Sequence, residues 1–129
     1  MVKISINFLA VLTLWLMLGI NDSYGLPPVK LINIHHHKNN GVEAITLLLN
    51  RRPDYVSFRL DHPLRFVLDL KQCYYHRIHN ALTVDSNLIK GIRVSQFKKD
   101  RVRLVIDQKE GINPRILIEN RQLSSGHTC

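Results

Sequence analysis

The chain has 129 residues, of which 45% are hydrophobic and 22% charged, and its formal net charge at pH 7 is +8. This length and composition are typical of one small globular domain and leave no room for two. The positive charge favours a polyanionic partner without identifying it.

The first 25 residues have the organisation of a secretory signal peptide. A short basic start precedes an almost wholly apolar run at residues 8–20, and small residues follow at Ser23 and Gly25. We expect cleavage after Gly25. The exported protein would then consist of a domain at residues 26–120 and a polar tail at 121–129. An uncleaved membrane anchor is the alternative, although the run is shorter than the about 20 apolar residues of a comfortable span.

The predicted export narrows the choice of polyanionic partner. Nucleic acid is the usual partner of a basic domain inside a cell, and the sequence has no aromatic and glycine pattern of an RNA-recognition sheet. An exported domain instead meets anionic lipid headgroups, lipopolysaccharide or the carboxylate-bearing peptides of a cell wall. We therefore expect an exported protein that binds no nucleic acid.

The predicted elements begin with a hairpin. Residues 29–35 form the first strand, for which we expect Ile32 and Ile34 to point inward. An Asn-Asn-Gly turn follows, and Asn-Gly is a strong hairpin signal because both residues tolerate positive φ. Residues 42–49 form the return strand, which is too continuously apolar to assign its faces.

Two later hairpins contain copies of one pattern. Residues 64–70 read Leu-Arg-Phe-Val-Leu-Asp-Leu, and residues 102–108 read Val-Arg-Leu-Val-Ile-Asp-Gln. Alternation of apolar residues with an Arg-Val-Asp set is typical of a half-buried strand. Each copy follows another β-rich run, at 55–60 and 89–97, across a turn. We expect the two hairpins to bury their apolar faces against each other as two stacked sheets.

The remaining segments complete an all-β prediction. Phe97 is out of phase with its strand, so we expect a bulge or the start of a turn there. Residues 73–82 connect the two hairpins as a short helix or an irregular crossover. A last strand at 115–119 brings the count to seven strands. The predicted fold is a β-sandwich of two similar antiparallel sheets.

The repeated strands resemble those of a known family. Residues 64–71, 89–97 and 102–107 place two Arg-to-Asp strands around an Ile-Arg-Val strand, which resembles the AMIN domain. That module is found in periplasmic N-acetylmuramoyl-L-alanine amidases and in type IV pilus secretins. The resemblance implies a β-sandwich that binds peptidoglycan and localises its protein to the cell wall.

The resemblance also bears on activity. We expect no enzyme, because nothing resembling the zinc hydrolase domain of the amidases follows and no catalytic motif occurs. The alternatives are an interaction module of an envelope machine, such as a pilus secretin complex, and a truncated remnant of an amidase. Peptidoglycan, and with it other envelope proteins, are the expected partners.

The outward arginines of the pattern are the candidates for wall contact. We expect Arg65, Arg93 and Arg103 to bind stem-peptide carboxylates, because a guanidinium presents a rigid fork to such a group. Asp69 and Asp107 share these faces and are weaker ligand candidates. The alternative is that each aspartate forms an exposed ion pair with the arginine on its own strand.

The histidines and cysteines give weaker hypotheses. Residues 35–37 are three histidines, which alternate between faces on a strand and cannot converge on one ion. Cys73, His76 and His79 would share one side of a helix and could hold zinc with a water, but we expect an ordinary surface crossover. No metal or other cofactor is predicted. Cys73 and Cys129 form a disulfide if the tail folds back, and otherwise stay free or link to another chain.

Overall fold

The computed structural model describes residues 2–7, 27–77 and 79–120 of the chain, and these residues are all-β. Within these ranges no helix is long and apolar enough to cross a membrane. The strands of the described ranges are β1 (Val2–Asn7), β2 (Val29–Asn39), β3 (Val42–Leu49), β4 (Tyr55–Leu60), β5 (Arg65–Lys71), β6 (Cys73–Tyr74), β7 (His79–Leu82), β8 (Ile89–Lys98), β9 (Arg101–Gln108) and β10 (Arg115–Asn120).

These strands form two five-stranded sheets. The first sheet has the order β10-β1-β3-β2-β6, and the second has the order β4-β5-β9-β8-β7. Neighbouring strands are antiparallel, except that β6 runs parallel to β2. Apolar side chains from both sheets form one buried cluster between them. The predicted β-sandwich is therefore confirmed, with ten strands in the described residues instead of seven.

The two repeated hairpins do not stack on each other, so that part of the prediction is wrong. Both lie in the second sheet, where β5 pairs directly with β9. The alternating pattern cannot distinguish these arrangements, because it fixes which face is apolar and not what covers that face. The apolar faces of both hairpins are instead covered by the first sheet.

The N-terminal strand β1 is a central strand of the first sheet. It pairs with β3 on one side and β10 on the other. Val2, Ile4 and Ile6 point into the core and are 6%, 0% and 0% exposed. Residues 8–26, with the predicted cleavage site, lie outside the described residues, as does the tail at 121–129. Cleavage after Gly25 stays a prediction, and it would remove a strand that this sheet contains.

A bulge in β2 reverses the predicted orientation of one isoleucine. The register with β3 shifts between Leu31 and Asn33. An extra residue in one strand changes which face the following side chains take. Leu31 and Ile34 are therefore both buried, whereas Ile32 is 47% exposed. The prediction is right for Ile34 and wrong for Ile32.

Two other local predictions are confirmed. Asn40 and Gly41 have φ of 48° and 77° and join β2 to β3, as the Asn-Gly hairpin signal requires. The register of β8 with β9 shifts between Gln96 and Lys98, which places a bulge at Phe97. The bulge leaves Phe97 exposed at the end of its strand.

The connection between the hairpins is an extended crossover. Cys73–Tyr74 pairs with β2 of the first sheet, and His79–Leu82 pairs with β8 of the second. The chain passes from one sheet to the other between them, as the crossover alternative predicts. Cys73 is fully buried and has no disulfide partner among the described residues. Cys129 lies outside the described residues, so its pairing with Cys73 stays a prediction.

A buried polar network joins the two sheets at one end of the core. The Glu43 carboxylate on β3 accepts a hydrogen bond of 2.6 Å from the Ser86 hydroxyl, and the same oxygen lies 3.1 Å from His36 Nε2. Ser86 Oγ in turn accepts hydrogen bonds from the backbone N–H groups of Leu88 and Ile89. These partners satisfy groups that would otherwise be costly to bury. The sequence pattern gives no signal for this network.

The position of β1 predicts the effect of shortening its side chains. Ile4→Ala in the full chain should lower the free energy of unfolding by about 2–5 kcal/mol, because it removes buried methyl groups and leaves a cavity. Urea denaturation measures the change. Lys3→Ala on the same strand is the control, since Lys3 is on the partly exposed side. Equal effects of the two substitutions would show that β1 does not pack in the folded domain.

Burial also predicts the chemistry of Cys73. Desolvation raises the pKa of this thiol from 9.0 to about 11, although backbone hydrogen bonds oppose the shift. Between pH 9.0 and about 11 the thiol is therefore protonated in the folded chain and deprotonated in the unfolded one, so unfolding releases a proton. The free energy of unfolding consequently falls as the pH rises through this interval. Iodoacetamide at pH 9 should leave Cys73 unlabelled in the folded chain and label it in urea, as read by peptide mass spectrometry. Labelling in urea only after reduction would instead show a disulfide.

Candidate functional site

The outer face of the second sheet, which points away from the core, carries the Arg-Val-Asp pattern. Because β5 and β9 are antiparallel, the register sets one copy against the other in reverse order: Arg65 opposite Asp107, Val67 opposite Val105, and Asp69 opposite Arg103. Directly opposite residues of an antiparallel pair share a face and lie close together. Each arginine of the repeat therefore faces an aspartate of the other copy.

Asp69 and Arg103 form the central ion pair of this face. Arg103 donates from Nε to Asp69 Oδ1 at 2.8 Å and from Nη2 to Oδ2 at 2.9 Å. These hydrogen bonds raise the pKa of Arg103 above its ordinary value. Asp69 is only 2% exposed, so the expectation that it faces water is wrong. The physical reason is that a cross-strand guanidinium covers it.

Two aromatic rings flank the Arg103 guanidinium. Its central carbon lies 3.6 Å from the centre of the Phe97 ring and 5.6 Å from the centre of the Phe58 ring. A guanidinium stacks on aromatic faces while its N–H groups hydrogen-bond in its own plane. Phe58 comes from β4 and Phe97 from the bulge of β8. The sequence predicts the bulge but not this contact, because the three residues are far apart in the chain.

Arg93 and Asp107 form a second cross-strand pair. Arg93 donates from Nε to Oδ2 and from Nη2 to Oδ1 of Asp107, both at 2.9 Å. Both side chains are more exposed than Asp69, at 55% and 26%. The alternative of ion pairs along a single strand is therefore wrong, since both aspartates bind an arginine of another strand.

Arg65 differs from the other two candidate arginines. Asp107 lies opposite to it but binds Arg93, and the Arg65 Nε donates to the Pro63 carbonyl at 3.3 Å. Within the described residues, no carboxylate lies within 4.0 Å of Arg65. Its guanidinium is thus the least committed of the three, and it is partly exposed.

The whole face is cationic. The strand register assigns to it two carboxylates, Asp69 and Asp107, and six cations, Arg65, Lys71, Arg93, Lys98, Arg101 and Arg103. Arg101 Nη1 lies 4.0 Å from Asp69 Oδ2. The excess of positive charge attracts anionic polymers and weakens with salt. All five predicted ligand residues therefore meet on one face, with the aspartates holding two of the arginines in place.

The metal candidates whose side chains the structure describes do not converge on one point. His36 points inward to Glu43, whereas His35 and His37 are on the other side of β2. Cys73 is buried and His76 exposed, on extended chain, and the His79 side chain lies outside the described residues. In the ranges given above, no three His, Cys, Asp or Glu side chains form a group that could hold a metal ion.

The geometry of Asp69 predicts a large effect of its removal. Asp69→Ala should lower the free energy of unfolding by about 1.5–3 kcal/mol, because it removes the carboxylate that accepts two hydrogen bonds from the Arg103 guanidinium. Asp61→Ala is the control, since Asp61 is 63% exposed and lies 3.5 Å from Arg59. Exposed pairs contribute only about 0–1 kcal/mol. Thermal and urea denaturation compare the variants, and similar losses in both would contradict a structural role for Asp69.

Comparison with known proteins identifies the family. The AMIN domain matches residues 31–124 of the chain. The N-acetylmuramoyl-L-alanine amidase AmiC of Escherichia coli O6:H1 is 29% identical over 76 residues. The aligned part covers 56% of this chain and 18% of the amidase. No solved structure matches. The matched region contains both Arg-Val-Asp strands and the Ile-Arg-Val strand, and the chain belongs to the AMIN domain family.

Proposed function

We propose that this AMIN domain is a non-catalytic, periplasmic module that binds peptidoglycan through the outer face of its second sheet. The family membership and the similarity to an amidase named for a cell-wall bond support an envelope module. The amidase is matched over only 18% of its length, so its activity is not carried to this chain. The cationic outer face is the observation on which the proposal rests.

The face combines fixed and uncommitted cations. Arg103 and Arg93 each donate two hydrogen bonds to an aspartate, from Nε and Nη2, which fixes the position of each guanidinium on the sheet. Arg65 and Lys71 lie at opposite ends of β5, on the same face. Neither has a carboxylate within 4.0 Å among the described residues. They are therefore the side chains that we expect to meet the carboxylates of stem peptides.

The two aspartates support a binding role over catalysis. Both oxygens of Asp69 and both oxygens of Asp107 accept hydrogen bonds from a guanidinium. These bonds occupy the carboxylate oxygens that a general acid or base would use to reach a substrate. These residues are better suited to positioning arginines than to donating a proton to a substrate.

A protein partner is the second candidate, and the edge strand β4 favours it. β4 ends the second sheet, and each of its six residues is exposed. An exposed edge strand can pair with an extended segment of another protein. An envelope machine such as a pilus secretin complex would supply that segment. Cross-linking from β4 to an envelope protein, without binding to purified sacculi, would favour this candidate.

Cosedimentation with purified sacculi tests the first candidate. The full chain should bind, and Arg65→Ala with Lys71→Ala should weaken binding roughly threefold or more, because each exposed ionic contact contributes up to about 1 kcal/mol. Binding of the unmodified chain should also weaken between about 0.05 and 0.5 M NaCl, since salt screens exposed charges.

A double substitution on other surfaces is the matched control. Lys30→Ala with Arg52→Ala removes the same charge from exposed positions outside the second sheet. It should leave binding close to that of the unmodified chain. Equal losses in the two double variants would mean that overall charge, and not the outer face, determines binding. No sedimentation at either salt concentration would overturn the proposed function.

A further inference from the structure

The outer face of the second sheet also carries apolar side chains that contact with carboxylates does not use. The register of β4 with β5 places Val56, Phe58 and Leu60 on this face, where they are 40%, 37% and 38% exposed. Phe97 lies on the same face, on β8, and is 43% exposed. Exposed apolar groups that lie together on one face mark interaction sites, whereas isolated ones are ordinary.

Arg103 lies between Phe58 and Phe97 while the Nε–Nη2 edge of its guanidinium is occupied. Its Nε and Nη2 donate to Asp69, which is buried. A ligand carboxylate cannot take that fork without displacing Asp69, which would leave a buried charge unpaired. The flat guanidinium instead lies against Phe97 and near Phe58. We name these three residues the Phe-Arg-Phe platform. Phe58 and Phe97 are 37% and 43% exposed, so each is partly open to a ligand.

We infer, on the basis of the proposed function, that the Phe-Arg-Phe platform binds the sugar rings of the glycan strand and not the stem peptides. A pyranose ring has C–H groups on its faces, and these pack on an aromatic face, which carries the negative part of the ring quadrupole. The C–H faces of such a ring need an aromatic surface and no guanidinium fork. The platform therefore offers a glycan aromatic surface, whereas the Nε–Nη2 fork of Arg103 is already occupied by Asp69.

The surrounding cations are consistent with this division. Lys98 places its ammonium 5.7 Å from the centre of the Phe97 ring, on an exposed and flexible side chain that can yield to a ligand. Arg65 and Lys71 lie at the ends of the face and attract the anionic polymer over a longer range. Attraction by exposed charges falls with salt, whereas packing on the rings does not. Glycan binding should therefore persist at high salt.

Binding of the full chain to three probes tests the inference. The probes are intact sacculi, glycan strands freed of stem peptides by an amidase, and isolated stem peptides, each at about 1 M NaCl to screen exposed charges. The first two should bind and the third should not. Phe97→Leu and Phe58→Leu should each weaken glycan binding about fivefold, because leucine keeps apolar volume but has no aromatic face.

Tyr55→Leu is the matched control. Tyr55 is an aromatic residue of the same edge strand and is 36% exposed, but its register with Leu70 places it on the core side of the sheet. It should leave glycan binding unchanged. Thermal denaturation of each variant, compared with the unmodified chain, separates loss of the rings from loss of the fold.

The outcomes separate the inference from the proposed function. Binding to intact sacculi without binding to stem-free glycan would overturn the inference and leave the proposed function standing. Full glycan affinity in both folded phenylalanine variants would overturn it as well. Failure to bind any of the probes at low and high salt would overturn both.

Discussion

The antiparallel register of β5 with β9 is the constraint on which the second sheet depends. Each strand carries the order Arg-Val-Asp, and reversing one copy against the other sets arginine against aspartate and valine against valine. Opposite charges on directly opposed residues stabilise a strand pair, and like charges would destabilise it. Stacking the two hairpins as separate sheets would lose this complementarity. The repeat therefore specifies a sheet with its two copies side by side.

The two halves of this arrangement are not equivalent, and the difference creates the candidate site. Asp69 binds Arg103, as the register dictates, whereas Asp107 binds Arg93 of β8 and leaves Arg65 uncommitted. The bulge at Phe97 adds a ring to one half only, next to Arg103. In this nearly symmetric strand pair, one half thus holds an arginine that contacts two aromatic rings of neighbouring strands, and the other half holds Arg65, which has no carboxylate partner among the described residues.

The first sheet covers the apolar face of the second sheet. Its core-facing residues come from β1, β2 and β3, and they pack with those of β5, β8 and β9 in one cluster. Glu43, His36 and Ser86 tie the sheets together at one end. Since β1 lies between β3 and β10, residues 2–7 are both the start of a predicted signal peptide and part of this sheet. The two roles exclude each other in a single molecule, because a removed segment cannot pair.

The sequence by itself determined the fold class, the Asn-Gly hairpin, the Phe97 bulge and the face on which Arg65, Arg93 and Arg103 lie. Those features follow from local rules, namely alternation with period two and the backbone preferences of turn residues. Only the tertiary structure decided which strands are neighbours, that Ile32 faces out, that Asp69 is buried and which arginine each aspartate binds. These depend on contacts between residues far apart in the chain, and a period-two pattern carries no information about which partner covers a face.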